Sequence, residues 1–407
     1  MLVPLLATPF HDPFVNLLVQ GWLTTFAALL APFLVARYVG ADRYWIAAGA
    51  LANACLFLVA APGIQFDWLI TQPYALSMSL GVASLLLADR FGKSRTAVFV
   101  ALVLMLAAHW VNLAVCVVLV PLILARGRAT LQQVSLTGAG VAGGTLLKHW
   151  STGTATATKI LSVAEWPHGW AQLLRTTSAG IAHPWGLIAL VLFALIGAIV
   201  LSRRAPLDKS ITGAVVAFVS ACCYWLVIGT FEHVQHNDYY ARYVFPSVLL
   251  FAVGMALLVV AAGHRPRVAA AIACLVFVVS AGVSYGVPSL KRLRRNMDRT
   301  IGVLTPDIMA ADATVLAGDY WTVWPAVFHA NMILYERTGH VGVFGLTYRS
   351  DQTAGMWLTR VKTDPVVLVA PRLDTSAALI ASRLGVPVTF VRDAGPLDVY
   401  LVGTHRD

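Results

Sequence analysis

A chain of 407 residues that is 58% hydrophobic and only 12% charged, with a mean hydropathy of +0.75, reads as an integral membrane protein and not as a water-soluble globule. The formal net charge of +10 comes from Lys and Arg gathered beside apolar runs, where they suit anionic lipid, and makes nucleic acid a poor partner. Cys55, Cys116, Cys222, Cys223 and Cys274 all lie inside apolar runs, which excludes a disulfide framework and any metal-binding spacing.

Apolar runs close to the ~20 residues that a membrane-crossing helix needs begin at 14–36, 44–62 and 70–88. The next run, 97–126, is different. As one helix rising 1.5 Å per residue it would measure ~45 Å, longer than the hydrocarbon core. Its middle carries His109-Trp110-Val111-Asn112, and Pro121 follows. One long span would strand those polar groups at mid-bilayer, whereas two short helices folded as a hairpin place His109 and Asn112 at one surface. The spacing therefore predicts a hairpin. A shorter, Gly-rich run at 132–147 is followed by further candidate spans at 185–202, 211–229, 243–262 and 268–286.

Beyond residue 290 the pattern changes. Candidate strands at Thr314–Gly318, Val341–Tyr348, Pro365–Ala370, Val386–Val391 and Leu397–Val402 alternate with helical patterns at 322–338, 352–361 and 375–384. That alternation predicts a small α/β domain with a mostly parallel sheet. The expected fold class is thus mainly α: a polytopic bundle of about eight spans plus a short hairpin over 1–289, then a soluble α/β domain over 290–407. The basic stretch Lys291–Arg299 reads as an amphipathic junction lying on lipid headgroups.

With the hairpin, most basic clusters fall on one side, as cytoplasmic loops should. The Lys291–Arg299 cluster alone objects, and the length of 97–126 outweighs it. The resulting topology is multi-pass in the plasma (inner) membrane, with the C-terminal domain extracytoplasmic or periplasmic. No Lys or Arg precedes Arg37, so the N-terminus is expected outside, as if the chain began one helix late.

On this topology polar groups converge on the outer face. They are His11 and Asp12, Gln65, Asp67 and Gln72, the hairpin tip, His149 with the following loop, and the stretch Phe231–Pro246. That stretch packs Glu232, His233, Gln235, His236, Asn237, Asp238 and Arg242 between two apolar runs, where ionisable groups are costly and rare. Asp12, Asp67, Glu232 and Asp238 are the candidate bases.

The short paired helices of Ala97–Arg126, the polar loop entering a span as Arg242-Tyr-Val-Phe-Pro246, and the soluble C-terminal domain together resemble the membrane glycosyltransferases of the GT-C fold superfamily. The resemblance implies a transferase of the cell envelope that moves a sugar from a polyprenyl-phosphate donor to a glycan, lipid or protein acceptor, with membrane lipid as its surroundings. Such enzymes usually open with a further span and an outer loop bearing a catalytic acid, and here only Asp12 stands near where that loop would end. Transfer to a hydroxyl needs a carboxylate base, for which Asp12 and Asp67 are the candidates. It also needs donors for the departing phosphate, a role that suits the Arg242 guanidinium. His109, Asn112, His236, Tyr240 and Tyr243 complete the candidate substrate-binding set, the tyrosines by stacking on sugar rings.

Each residue has a plainer reading. Arg242 among tyrosines fits an interfacial anchor; Asp12 before Pro13, and Asp67, fit helix N-caps; His109 and Asn112 fit a hairpin turn that satisfies its own backbone. Glu232-His233-x-x-His236 offers metal-ligand types but not the His-Glu-x-x-His order, and neither a metal nor a cofactor is expected. Asp319-Tyr320-Trp321 and Thr347-Tyr348-Arg349-Ser350 lie at the carboxyl ends of candidate strands, where open sheets bind ligands or pack against neighbours. A transporter or flippase, and a non-catalytic membrane protein lacking the first helix of the fold, are the alternative functions.

Overall fold

The computed structural model describes residues 11–40, 44–59, 73–125, 131–152, 159–181, 209–235, 239–261, 266–286, 289–347, 366–372 and 387–402. The chain divides into two compact units, Val19–Gly286 with Met1–Ala7, and Val287–Asp407 with Thr8–Leu18. The helices of the first unit are α1 (Pro13–Tyr38), α2 (Trp45–Val59), α3 (Pro73–Phe91), α4 (Arg95–Val111), α5 (Val115–Ala125), α6 (Leu131–Thr152), α7 (Trp166–Ile181), α8 (Lys209–Ile228), the single turn α9 (Glu232–Gln235), α10 (Phe245–Ala261) and α11 (Pro266–Tyr285). α1 begins among residues that group with the second unit.

Two of the described helices, α1 and α8, are long and apolar enough to cross a membrane, with mean hydropathies of 1.7 and 2.2. Others are apolar but shorter: α2, α4, α5 and α10 run 15, 17, 11 and 17 residues. The run at 185–202 lies outside the described residues.

The predicted break in 97–126 is present. Ser94 caps α4, its hydroxyl accepting from the Ala97 N–H. At the other end Asn112 leaves helical geometry (φ −149°, ψ 106°), donates its N–H to Ala108 O, and accepts from the Ala114 N–H at 3.1 Å on Oδ1. One side chain thus closes α4 and opens α5. The chain then turns back: Ser84 on α3 bonds Ala101 on α4, Gly81 on α3 faces Leu119 on α5, and Gln132 at the start of α6 reaches Gly92.

The bundle is joined by short polar side chains and by glycines. Asn53 donates to Leu29 O at 3.0 Å, Ser79 to Ala27 O at 2.7 Å, and Ser247 to Ala221 O at 2.9 Å, each across a helix pair. Such bonds tie one helix backbone to the next, and small residues let the backbones approach closely. Gly140 and Gly144, four apart on α6, lie directly against Met105, His109 and Trp110 of α4. The weakly read Gly-rich run is therefore a full helix of 22 residues whose glycines form its seam with α4.

The second unit contains α12 (Leu290–Thr300), α13 (Thr305–Ala310), β1 (Val315–Gly318), α14 (Tyr320–Thr338), β2 (Phe344–Thr347), β3 (Val366–Pro371), β4 (Val388–Ala394) and β5 (Leu397–Val402). Leu316, Val369, Leu397 and Val399 pack on one side of the sheet with Ile308 of α13 and Val323, Ala326, Val327 and Ala330 of α14, while Val315, Ala317, Leu368 and Ala370 fill the other. The period of two along each strand makes both faces apolar. All five expected strands are found, but the expectation of a mostly parallel sheet is corrected. The order is β2-β1-β3-β5-β4, with β1 parallel to β2 and β3, and β5 antiparallel to β3 and β4. The reason is the Gly395-Pro396 turn. Gly395 takes φ 60°, where an L side chain is strained, and Pro396 supplies a fixed φ next to it, so β4 and β5 close as a hairpin with no room for a crossover helix. The helical patterns at 352–361 and 375–384 lie outside the described residues.

Candidate functional site

The polar end of the first unit is built where α3 starts, α4 turns into α5, α6 and α8 end, and the Phe231–Pro246 loop enters α10. The loop is tied down at its beginning. Phe231 pairs with Ile160, the Glu232 N–H donates to Lys159 O at 3.0 Å, and the Glu232 carboxylate meets Lys159 Nζ at 3.0 Å. Trp170 of α7 donates from its indole to Leu226 O at 2.9 Å, and Gly169 lies against the Gly229 carbonyl.

The loop then passes through Tyr239, a non-glycine residue at φ 51°. That turn sends the Tyr239 ring inward, to 4% exposure, and leaves Tyr240 47% exposed at the surface. A 3-10 turn over Ala241–Tyr243 follows, and α10 begins at Phe245 with Pro246 in its first turn, where the missing N–H is not needed. The Arg-Tyr-x-x-Pro arrangement thus has a local cause: it sets Arg242 and Tyr243 one turn ahead of a helix start.

Arg242 is half-buried there, flanked by aromatic rings. Its guanidinium lies 5.0 Å from the Tyr243 ring centroid and 5.6 Å from that of Tyr240, and Nη2 donates to the Tyr243 hydroxyl at 3.2 Å. Tyr243, 3% exposed, meets Tyr74 edge-to-face at 5.7 Å and His233 at 5.6 Å. Asn112 lies beside the hydroxyl of Tyr224 on α8. Burial, together with the positive charges of Lys148 and Arg242, pushes the His233 imidazole down to about 4, so it is neutral at pH 7. The arrangement is a cationic group with a neutral imidazole and a rim of phenols, suited chemically to an anion that carries a polyhydroxylated or aromatic body.

An apolar cavity of about 540 Å³ lies between α2, α7, α8 and α10, lined by Cys55, Leu56, Thr177, Trp225, Phe251 and neighbours that include Ser247. Trp225 adjoins Tyr224 on α8, and Ser247 follows Tyr243 by one helical turn.

The residues expected from sequence distribute unevenly. Arg242, Tyr240 and Tyr243 come together as described. Asn112 reaches the same end but is occupied as the joint of the hairpin. His109 is fully buried in the α4–α6 seam: Nδ1–H donates to Met105 O at 2.9 Å, and Nε2 has no hydrogen-bond partner among the described residues. Asp12 caps α1, its Oδ1 accepting from the N–H groups of Phe14 at 2.8 Å and Val15 at 3.3 Å. Asp67 and His236 lie outside the described residues, as do Gln65, Gln72 and Asp238. Of the metal-ligand types, Glu232 is paired with Lys159, and the His233 ring lies tilted against Phe231 and edge-to-face with Tyr243. In the second unit, Asp319 caps α14 by accepting from Trp321 and Thr322, and Thr347 is buried at the end of β2. Reading the sequence missed Tyr74, Tyr224 and Lys148. Tyr74 adjoins Gln72 at the head of α3 and was open to the same reasoning, whereas Tyr224 sits inside an apolar run and gave no signal.

Compared with protein-family models, curated proteins and solved structures, the chain has no match.

Proposed function

We propose that the chain is a membrane-embedded glycosyltransferase, multi-pass in the plasma membrane, that moves a sugar from a polyprenyl-phosphate donor to an acceptor on the outer face. The observation that carries this reading is the Arg242 guanidinium held against Tyr243 and Tyr240 at the polar end of a helical bundle. A guanidinium binds phosphate oxygens in pairs and never loses its charge, so it grips a phosphate before and after the bond to sugar breaks. With Lys148 it offers two cations to the developing negative charge of the leaving group. Exposed Tyr240 gives a face for a sugar ring, and the apolar cavity that starts one turn from Tyr243 gives room for a hydrocarbon tail.

The base that takes the acceptor proton is assigned to Asp67, on its place in the sequence between two apolar runs. Asp12 is the second candidate, and its Oδ1 is engaged in capping α1.

Membranes containing the chain should transfer labelled sugar from a polyprenyl-phosphate donor. Arg242→Ala and Asp67→Ala should each reduce transfer at least about a hundredfold, the range expected for a phosphate clamp and for a general base. Unchanged transfer in both variants would overturn the site, and binding of the donor without transfer would turn the reading to a lipid-phosphate carrier.

A further inference from the structure

α12 is a helix of 11 residues whose charges are sorted by face. At 100° per residue, Lys291, Arg295, Arg299 and Arg292 fall within a stripe about 100° wide. All four are exposed, and among the described residues none has an ion-pair partner. The opposite side holds Leu293 and Met297, the latter 6% exposed. The fifth cation, Arg294, is not part of the stripe. It is consumed inside the unit, paired with Glu336 of α14 and, at 3.6 Å, with Asp298 one turn on.

A second set of contacts fixes the rotation of the helix. His329 of α14, 4% exposed, donates from Nε2–H to Asp298 Oδ1 at 3.0 Å, and its Nδ1 accepts from the Thr305 hydroxyl at 2.8 Å. Asp298, Arg294 and Met297 are therefore all bound to the body of the unit. The four remaining cations are held outward, and the one carboxylate at the edge of their stripe, Asp298, is taken up by His329 and Arg294. A solvated helix face of ordinary composition mixes both signs at i and i+4 spacing; this one does not.

The helix also begins five residues after Tyr285, the end of α11. That helix presents an apolar row at Val268, Ile272, Leu275, Val279 and Val283, each more than half exposed. Leu290, at the head of α12, is 59% exposed as well.

We propose that α12 is an electrostatic docking helix for the phosphate headgroups of anionic bilayer lipids, with Lys291, Arg292, Arg295 and Arg299 as the contacts and Leu290 entering the interface. The proposal rests on the membrane reading of the chain. Arg294, Asp298 and His329 are positioning residues: they aim the stripe and do not touch lipid. Each Lys or Arg near an anionic surface contributes about 1 kcal/mol, or roughly fivefold.

The test is deuterium uptake of residues 290–300 in the full chain, reconstituted into nanodiscs of phosphatidylcholine alone or with phosphatidylglycerol added. Uptake is expected to slow at least about tenfold in the anionic discs. The difference should vanish in about 1 M salt, where charges are screened beyond roughly 3 Å. Lys291→Gln/Arg292→Gln/Arg295→Gln/Arg299→Gln should abolish it. Arg295→Gln/Arg299→Gln, which removes half the stripe and none of the internal contacts, should leave an intermediate effect. Equal uptake in the two lipids, or an undiminished difference in the quadruple variant, would overturn the docking role while leaving the membrane reading intact. A chain that stays out of both kinds of disc would overturn the membrane reading and the proposal with it.

Discussion

Arg242 donates a hydrogen bond at 3.2 Å to the hydroxyl of the residue beside it, Tyr243, and lies over the same ring at 5.0 Å. Neighbouring side chains rarely meet this way in regular structure. The 3-10 turn ahead of α10 brings them together. The pair has two functions to separate, the charge and its posture. Arg242→Lys keeps the charge and loses the planar fork, and should weaken phosphate binding roughly tenfold or more. Tyr243→Phe keeps the ring and loses the hydroxyl. It should cost about 0.5–1.5 kcal/mol of stability and have a smaller effect on binding. Thermal unfolding and ligand titration on both variants check this.

The seam between α4 and α6 predicts opposite outcomes for two glycines in one helix. A Cβ at Gly144 would come within 2.6 Å of His109 Cβ and 2.9 Å of the Trp110 backbone nitrogen, whereas one at Gly138 meets nothing within 4 Å. Gly144→Ala should therefore destabilise by about 1–3 kcal/mol through overpacking. Gly138→Ala should be neutral or stabilise by up to about 1 kcal/mol, because a helical glycine loses more backbone entropy on folding than alanine does. Thermal melting in the same detergent decides between them.

His233 gives the site a pH dependence whose sign follows from its environment. Its ordinary value of 6.5 is lowered to about 4 by burial and by the charges of Lys148 and Arg242. The unfolded chain therefore binds the proton more readily than the folded one. Stability from this residue is fully present above pH 6.5 and is lost as pH falls toward about 4. His233→Gln should flatten that part of the stability profile. An anionic ligand beside the ring should raise its affinity for the proton, so phosphate binding is expected to strengthen across the same window in the parent protein and not in the variant. Unfolding and binding titrations between those pH values measure both effects.

Asp12 separates into two roles by substitution. Asn accepts the same capping bonds as Asp but is no base, whereas Ala does neither. If capping is its work, Asp12→Asn should leave transfer unchanged, and Asp12→Ala should lower stability by about 1 kcal/mol. Loss of transfer in Asp12→Asn would make Asp12 the base in place of Asp67. A transfer assay paired with a melting curve resolves the two.

What could be read from the sequence followed the range of each signal. The hairpin break was legible because a 30-residue apolar run interrupted by His109 and Asn112 fits no single helix, and a length argument needs no tertiary contact. The five strands were legible from local alternation. The antiparallel pairings of β5 were less legible, because the two-residue Gly395-Pro396 turn is a weaker signal than the strand-helix rhythm upstream. The association of Tyr74, Lys148, Tyr224, His233 and Arg242 was illegible for another reason. These residues are separated by 74, 76, 9 and 9 positions, and apart from His233 and Arg242, which share one polar stretch, nothing in any one segment marks the others as neighbours. Only His233 and Arg242 carry a local signal, as ionisable groups in one polar stretch between two apolar runs. The Arg-Tyr-x-x-Pro motif is the geometry of a helix start that delivers the guanidinium to its tyrosines.

Arg242 is the proposed receptor for lipid-linked phosphate. The most direct measurement is equilibrium binding of a short polyprenyl phosphate, such as farnesyl phosphate, to the full chain in neutral detergent, with farnesol as competitor. Saturable binding that farnesol fails to displace, and that weakens by about 1.5–3 kcal/mol (roughly ten- to a hundredfold) in Arg242→Ala, is the predicted result. Equal affinity in Arg242→Ala, or displacement by farnesol as effective as by the phosphate itself, would contradict it.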